Sequence, residues 1–197
     1  MSVARTKLRS SCWAISLDAL TLPTGHTALC KRTFSADETV FACGGKSISA
    51  ANISTLHAPK PVRVSDGRIL QVHVHPQDTR VVILETDHLD NQVLVFDTRK
   101  GSFHCRPTLQ FGHRDEHAPD IVRRFVKGST LNSYFARPYT NSEMSVVRVW
   151  DYRKATAVVA CFQEEHPAPI VHAVLSGSDL LAYGGHSVTI WKTSSGR

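Results

Sequence analysis

The sequence predicts an all-β fold made of one sheet unit repeated four times. Short β-branched and aromatic runs recur along it: Val81–Leu84, Val93–Phe96, Val146–Trp150 and Val188–Trp191. Gly, Asp, Asn, Ser and Pro bound each run, and these residues supply the backbone angles and local hydrogen bonds of tight turns. No segment carries the three-to-four-residue apolar spacing of a helix. The third observation is an internal repeat.

The repeat is clearest at its strand ends. Ala42-Cys-Gly-Gly-Lys-Ser-Ile-Ser-Ala-Ala51 aligns without gaps on Ala182-Tyr-Gly-Gly-His-Ser-Val-Thr-Ile-Trp191. Two further copies lie between them, Gln92-Val-Leu-Val-Phe-Asp-Thr-Arg-Lys100 and Ser145-Val-Val-Arg-Val-Trp-Asp-Tyr-Arg-Lys154. The repeats therefore end near residues 51, 96, 150 and 191, at intervals of 45, 54 and 41 residues. That is the length of a four-stranded propeller blade, or just above it. Upstream of the ends, Arg32–Ala42, His73–Leu84 and Val174–Ala182 each read as two strands around a polar turn. Gly44-Gly45 and Gly184-Gly185 fall at equivalent places and read as tight backbone sites in strands.

These motifs resemble the WD-repeat family. Gly25-His26 and Gly112-His113 match its Gly-His position, and Phe96-Asp97 and Trp150-Asp151 match its Trp-Asp end. Ala51-Asn52 and Trp191-Lys192 depart from the pattern by lacking the aspartate. The resemblance implies a β-propeller of four-stranded antiparallel blades over residues 12–197, behind a flexible basic arm at residues 1–11. It also implies that His26 with Asp37, and His113 with a nearby acid, form polar networks within blades, and that Trp150 and Trp191 pack between blades. A blade cannot bury both faces alone, and closing the ring removes exposed sheet edges. Propellers of this family close with more than four blades, so the expectation is an incomplete or open propeller, a fragment, or one completed by another chain.

Composition narrows the function classes. Of 197 residues, 42% are hydrophobic and 20% charged, a soluble globular balance with no apolar run long enough to span a bilayer. Net charge is +6, which permits contact with an acidic partner or nucleic acid without requiring it. No RNA- or DNA-recognition motif is present. Five cysteines, an odd number without a CxxC pair, read as reduced and mostly packed thiols, hence an intracellular protein of cytoplasm or nucleus.

No nucleophile elbow, catalytic cysteine signature or phosphate loop appears, so the chain reads as a binding protein without cofactor or metal, not an enzyme. His104, Cys105, His113 and His117 lie close in sequence but do not make a zinc pattern. The most specific lead is Trp150-Asp151-Tyr152-Arg153, nearly repeated at Phe96-Asp97-Thr98-Arg99. It resembles the Trp-Asp-x-Arg element of WD-repeat substrate receptors, in which the arginine contacts the adaptor of a cullin-RING ubiquitin ligase. The partner-binding candidates are thus Asp97, Arg99, Asp151 and Arg153. The function expected is a protein-interaction scaffold, with a ligase substrate receptor or an RNA- or chromatin-associated propeller as alternatives. Three exposed loops are expected to carry contacts: 85–92, 114–119 and 137–144.

Overall fold

The structure is a computed structural model that describes residues 31–34, 39–52, 59–88, 90–113, 126–140, 144–154, 157–164, 169–185 and 187–192. The expected arm at 1–11, His26, Asp37, the loop at 114–119 and the side chain of His113 lie outside the described residues.

Four antiparallel sheets follow one another along the chain. Blade 1 holds β1 (Lys31–Phe34), β2 (Thr39–Gly44), β3 (Ser47–Asn52) and β4 (Val62–Arg63). Blade 2 holds β5 (Ile69–Val74), β6 (Val81–Thr86), β7 (Asp90–Asp97) and β8 (Leu109–His113). Blade 3 holds β9 (Ser129–Leu131), β10 (Tyr134–Thr140), β11 (Ser145–Asp151) and β12 (Val158–Glu164). Blade 4 shows three strands among the described residues: β13 (Ile170–Ser176), β14 (Asp179–Gly184) and β15 (Ser187–Lys192).

The register makes the sequence repeat a structural one. Residues 51, 96, 150 and 191 each occupy the penultimate place of their blade's third strand. Each pairs with the second residue of the second strand: Ala51 with Val40, Phe96 with Val82, Trp150 with Phe135, and Trp191 with Leu180.

Alternation along the strands builds three cores, one at each blade junction. In β6, Val82 and Leu84 face blade 1 while Ile83 faces blade 3; in β7, Leu94 and Phe96 face blade 1 while Val93 and Val95 face blade 3. Successive side chains of a strand point to opposite faces, so a sheet covered on both sides needs an unbroken apolar run. That is why the central strands of blade 2 read Val-Val-Ile-Leu and Val-Leu-Val-Phe. The in-phase aromatics all point back to the preceding blade. Phe96 packs toward Phe41, Trp150 lies 5.5 Å from Phe111, and Trp191 lies 5.5 Å from Phe162.

Backbone contacts reinforce the stacking. Lys127 N–H donates to the Val171 carbonyl at 2.8 Å and Ala173 N–H to the Lys127 carbonyl at 3.0 Å, a parallel bridge that ties blade 3 to blade 4. Beyond it, Tyr183, Val188 and Ile190 of blade 4 are exposed, the last two at 54% each. The array is all-β, propeller-like and open at this blade.

Several expectations need correction. The segment 85–92 is an exposed connection only in its middle, at His88, Asp90 and Asn91; Glu85 and Thr86 end β6 fully buried, and Gln92 is buried in β7. Residues 137–140 lie inside β10, with Arg137 only 5% exposed, because the strand is sandwiched between blades 2 and 4. Gly45 and Gly185 sit in the turns before β3 and β15 at φ +57, a left-handed conformation that strand residues do not adopt. None of the three described cysteines is in a disulfide; Cys43 is packed, but Cys105 and Cys161 are exposed.

Phe135 is fully buried and makes edge contacts with His73 at 5.7 Å and Phe111 at 6.2 Å. Phe135→Ala removes the ring that fills the junction of blades 2 and 3. It is expected to cost about 3–5 kcal/mol in chemical denaturation.

Candidate protein-interaction site

In blades 2 and 3 the first strand runs toward one end of the sheet, and the first and third connections lie at that end. The end of blades 2 and 3 therefore gathers the turns at 75–80, 98–108, 132–133 and 152–154. All four partner-binding candidates are on it. Phe96 and Trp150 face the core, so the residue after each sits where the strand leaves the sheet and its carboxylate is free to cap the next turn.

The two Asp-x-Arg segments fold alike. Thr98–Lys100 and Tyr152–Lys154 are single 3-10 turns directly after β7 and β11. In the first, the Asp97 carboxylate accepts from the Arg99 backbone N–H at 3.0 Å, capping the turn. The Arg99 side chain bends back, with Nε donating to Oδ1 at 2.8 Å and Nη2 to Oδ2 at 2.9 Å. In the second, Arg153 N–H donates to Asp151 at 2.9 Å, and Nε and Nη2 reach the same carboxylate at 3.0 and 2.6 Å. The spacing of two residues brings both a backbone donor and a planar fork onto one carboxylate, which no ammonium group reproduces.

The pairs differ in what else holds them. Arg99 Nη2 also meets Asp78 at 3.0 Å, and Asp78 accepts from the Arg80 backbone N–H. Arg99 is thus fixed between two acids and is 49% exposed, whereas Arg153 is held by Asp151 and the Tyr134 side chain and is 69% exposed. The guanidiniums hold both carboxyls below the ordinary range, Asp151 at about 2.

Neighbouring turns are joined across the blades. His75 Nδ1 accepts from the backbone N–H groups of Gln77 and Asp78, so Nε2 carries the proton and donates to the Asn132 carbonyl at 2.6 Å. Asn132 sits at φ +52, which places that carbonyl at the blade-3 turn. The His75 ring also lies 6.1 Å from Tyr152, the residue between Asp151 and Arg153.

Behind these turns lies a buried charge cluster that the sequence did not reveal. Glu85 of β6 has no solvent exposure. His73 Nε2 donates to its Oε1 at 2.7 Å, and Gly128 N–H to the same oxygen at 2.8 Å. Arg137 Nε approaches Oε2 at 3.1 Å, but its N–H is not aimed at that oxygen, so this contact is an ion pair and not a hydrogen bond. The rest of the Arg137 fork donates to Gln92 Oε1 at 2.6 Å and to the Thr86 carbonyl at 3.1 Å, with the Tyr139 ring 5.3 Å away. Burial pushes the Glu85 carboxyl up. The His73 hydrogen bond and charge, the Arg137 charge and the Gly128 N–H outweigh burial and keep it below the ordinary value. Glu85 and Arg137 are both odd-numbered members of strands whose odd positions face the junction of blades 2 and 3. That alternation signal was available, but reading it requires knowing that both faces are covered.

Of the structural candidates, Trp150 is buried between blades 2 and 3, and Trp191 is half-buried between blades 3 and 4. His113 ends β8.

No family model matches the chain, and no curated protein matches it. Among solved structures it is similar to a chain in "Crystal Structure of Mitotic Checkpoint Complex", with a TM-score of 0.61 and 14% identity over 85% of this chain. The match covers 47% of that chain, so this chain spans about half the length of the solved one. The likeness shows the fold: a propeller-like array of antiparallel blades.

Two outcomes follow from the charges. Removing one partner of a buried pair strands the other charge, so Glu85→Leu and Arg137→Met are each expected to cost about 3–5 kcal/mol in urea denaturation. The double variant is expected to recover most of that loss. Asp151, with its depressed pKa, keeps its cap above the ordinary carboxylate range and loses it only as pH falls through about 2. Its side-chain carboxyl resonance is expected to remain that of the charged form at about pH 3 in a carbon NMR titration, where a model carboxyl would be mostly protonated.

Proposed function

We propose that this chain is a protein–protein interaction scaffold, not a catalyst, and that the turn bearing Asp151 and Arg153 is its main contact point, with Asp97 and Arg99 flanking it. The observation that carries the reading is the repetition of one preorganised guanidinium turn at the same end of two adjacent blades. Function on a rigid array lives on the connections that it presents. Asp151 holds Arg153 in one geometry, which lowers the rotamer entropy lost when a partner binds. The Arg153 side chain, 69% exposed, is then presented to an acidic group in that geometry. That the similar solved chain belongs to a multi-protein complex supports a protein partner.

A second reading makes the same turn the adaptor contact of a cullin-RING ubiquitin ligase. It is favoured by the greater exposure of Arg153 immediately beyond the Trp150-Asp151 strand end. Affinity purification with mass spectrometry tests both readings. The wild-type chain is expected to capture a defined set of partners, and Arg153→Ala to lose them with little change in melting temperature. Retention of all partners by Arg153→Ala would exclude the turn as the contact. The presence or absence of a ligase adaptor in the captured set decides the second reading.

A further inference from the structure

The loop that follows the first Asp-x-Arg turn forms a small cavity of about 230 Å³. Its lining includes Phe96, Lys100, Ser102, Cys105, Arg106 and Thr108. Both cations are exposed, and Lys100 lies within electrostatic reach of Asp97. The one acid at the wall, Asp97, has both oxygens committed to Arg99. The Thr108 hydroxyl accepts from the Asp97 backbone N–H at 3.4 Å, which leaves its own hydrogen to donate. The cavity therefore offers an excess of positive charge and hydroxyl donors.

The loop is held in place independently of any ligand. Phe103 is inserted into the core between blades 1 and 2, 5.1 Å from Phe96 and 6.0 Å from Phe41. Cys105 N–H donates to the Ser102 carbonyl at 3.0 Å, and Thr108 N–H to the Val95 carbonyl at 2.7 Å. Cations on a pinned loop meet an anion without first paying the cost of ordering the backbone.

We propose that this cavity receives the carboxylate or phosphate of an acidic side chain on a partner peptide; this rests on the scaffold reading above and names the chemistry of the partner. Its volume lies below the roughly 300–1,000 Å³ of sites that enclose drug-sized ligands, so it suits one side chain and not a free metabolite. A nucleic acid is disfavoured because Phe96 and Phe103 are both buried and give a base no exposed ring to stack on.

The test uses the full chain and fluorescence anisotropy with one labelled peptide in three forms, bearing phosphoserine, glutamate or serine. Both anionic forms are expected to bind above the serine form; their order assigns phosphate or carboxylate as the preferred group. Lys100→Ala and Arg106→Ala are each expected to weaken anionic binding about tenfold, in keeping with the loss of one charge-assisted contact. Lys46→Ala, in the turn before β3 at the opposite end, is expected to leave it unchanged. Gly101→Ala keeps both cations, but the residue sits at φ +133 and an added methyl group would meet Cys105 Sγ at 2.8 Å, so it is expected to weaken binding by straining the loop that places them. Equal binding of the three peptides, or full binding by Lys100→Ala, would overturn the proposal. So would tighter binding of oligouridylate through the same two cations. Failure here with Arg153-dependent capture intact would remove the cavity and leave the scaffold reading standing.

Discussion

Glu85 has no contact with water, and the junction between blades 2 and 3 is arranged around that fact. A carboxylate in an apolar seam is tolerable only when hydrogen bonds and opposite charge replace its hydration. His73 comes from the strand beside it, Gly128 from the approach to β9 and Arg137 from β10. Four segments must converge to within hydrogen-bonding reach, so the relative setting of the two blades is constrained more tightly than apolar contact alone would require. Phe135 closes one side of the cluster and the Gln92 side chain another. A slide of one blade past the next would leave charges unpaired.

That constraint reaches the end of the array through continuous strands. β6 carries Glu85 near one end and begins at Val81, beside the turn that holds Asp78 and Arg80. β10 carries Arg137 and begins at Tyr134, paired in register with Asp151. His75 then links the two turns directly through Asn132. The two Asp-x-Arg turns are therefore presented by adjacent blades whose setting is fixed at the buried seam. Within each turn a further layer of order comes from the carboxylate that caps the backbone and holds the guanidinium. An arginine so held is a shaped donor group, not a mobile charge.

Much of the fold was legible because blades obey local rules. The in-phase positions 51, 96, 150 and 191 all fall at one place in the third strand, since the turns before them have similar lengths and the strands pair by alternation. The misreadings share one cause. Polar residues such as Glu85, Gln92 and Arg137 look like loop residues when each segment is taken alone. They are core residues because they lie on strands covered on both faces and find partners across the junction. The exposed Cys105 and Cys161 illustrate the converse, small apolar residues left at a surface.

The sequence by itself determined the strand alternation, the turn chemistry, the repeat length and the two Asp-x-Arg elements, because each depends on residues only a few positions apart. It did not determine that the arginines fold back on their own aspartates, that His75 joins one blade's turn to the next, or that Glu85 and Arg137 meet. The last two are contacts between residues 57 and 52 positions apart, whose energies arise only when stacking removes water and brings the groups together. Tertiary packing alone decided them.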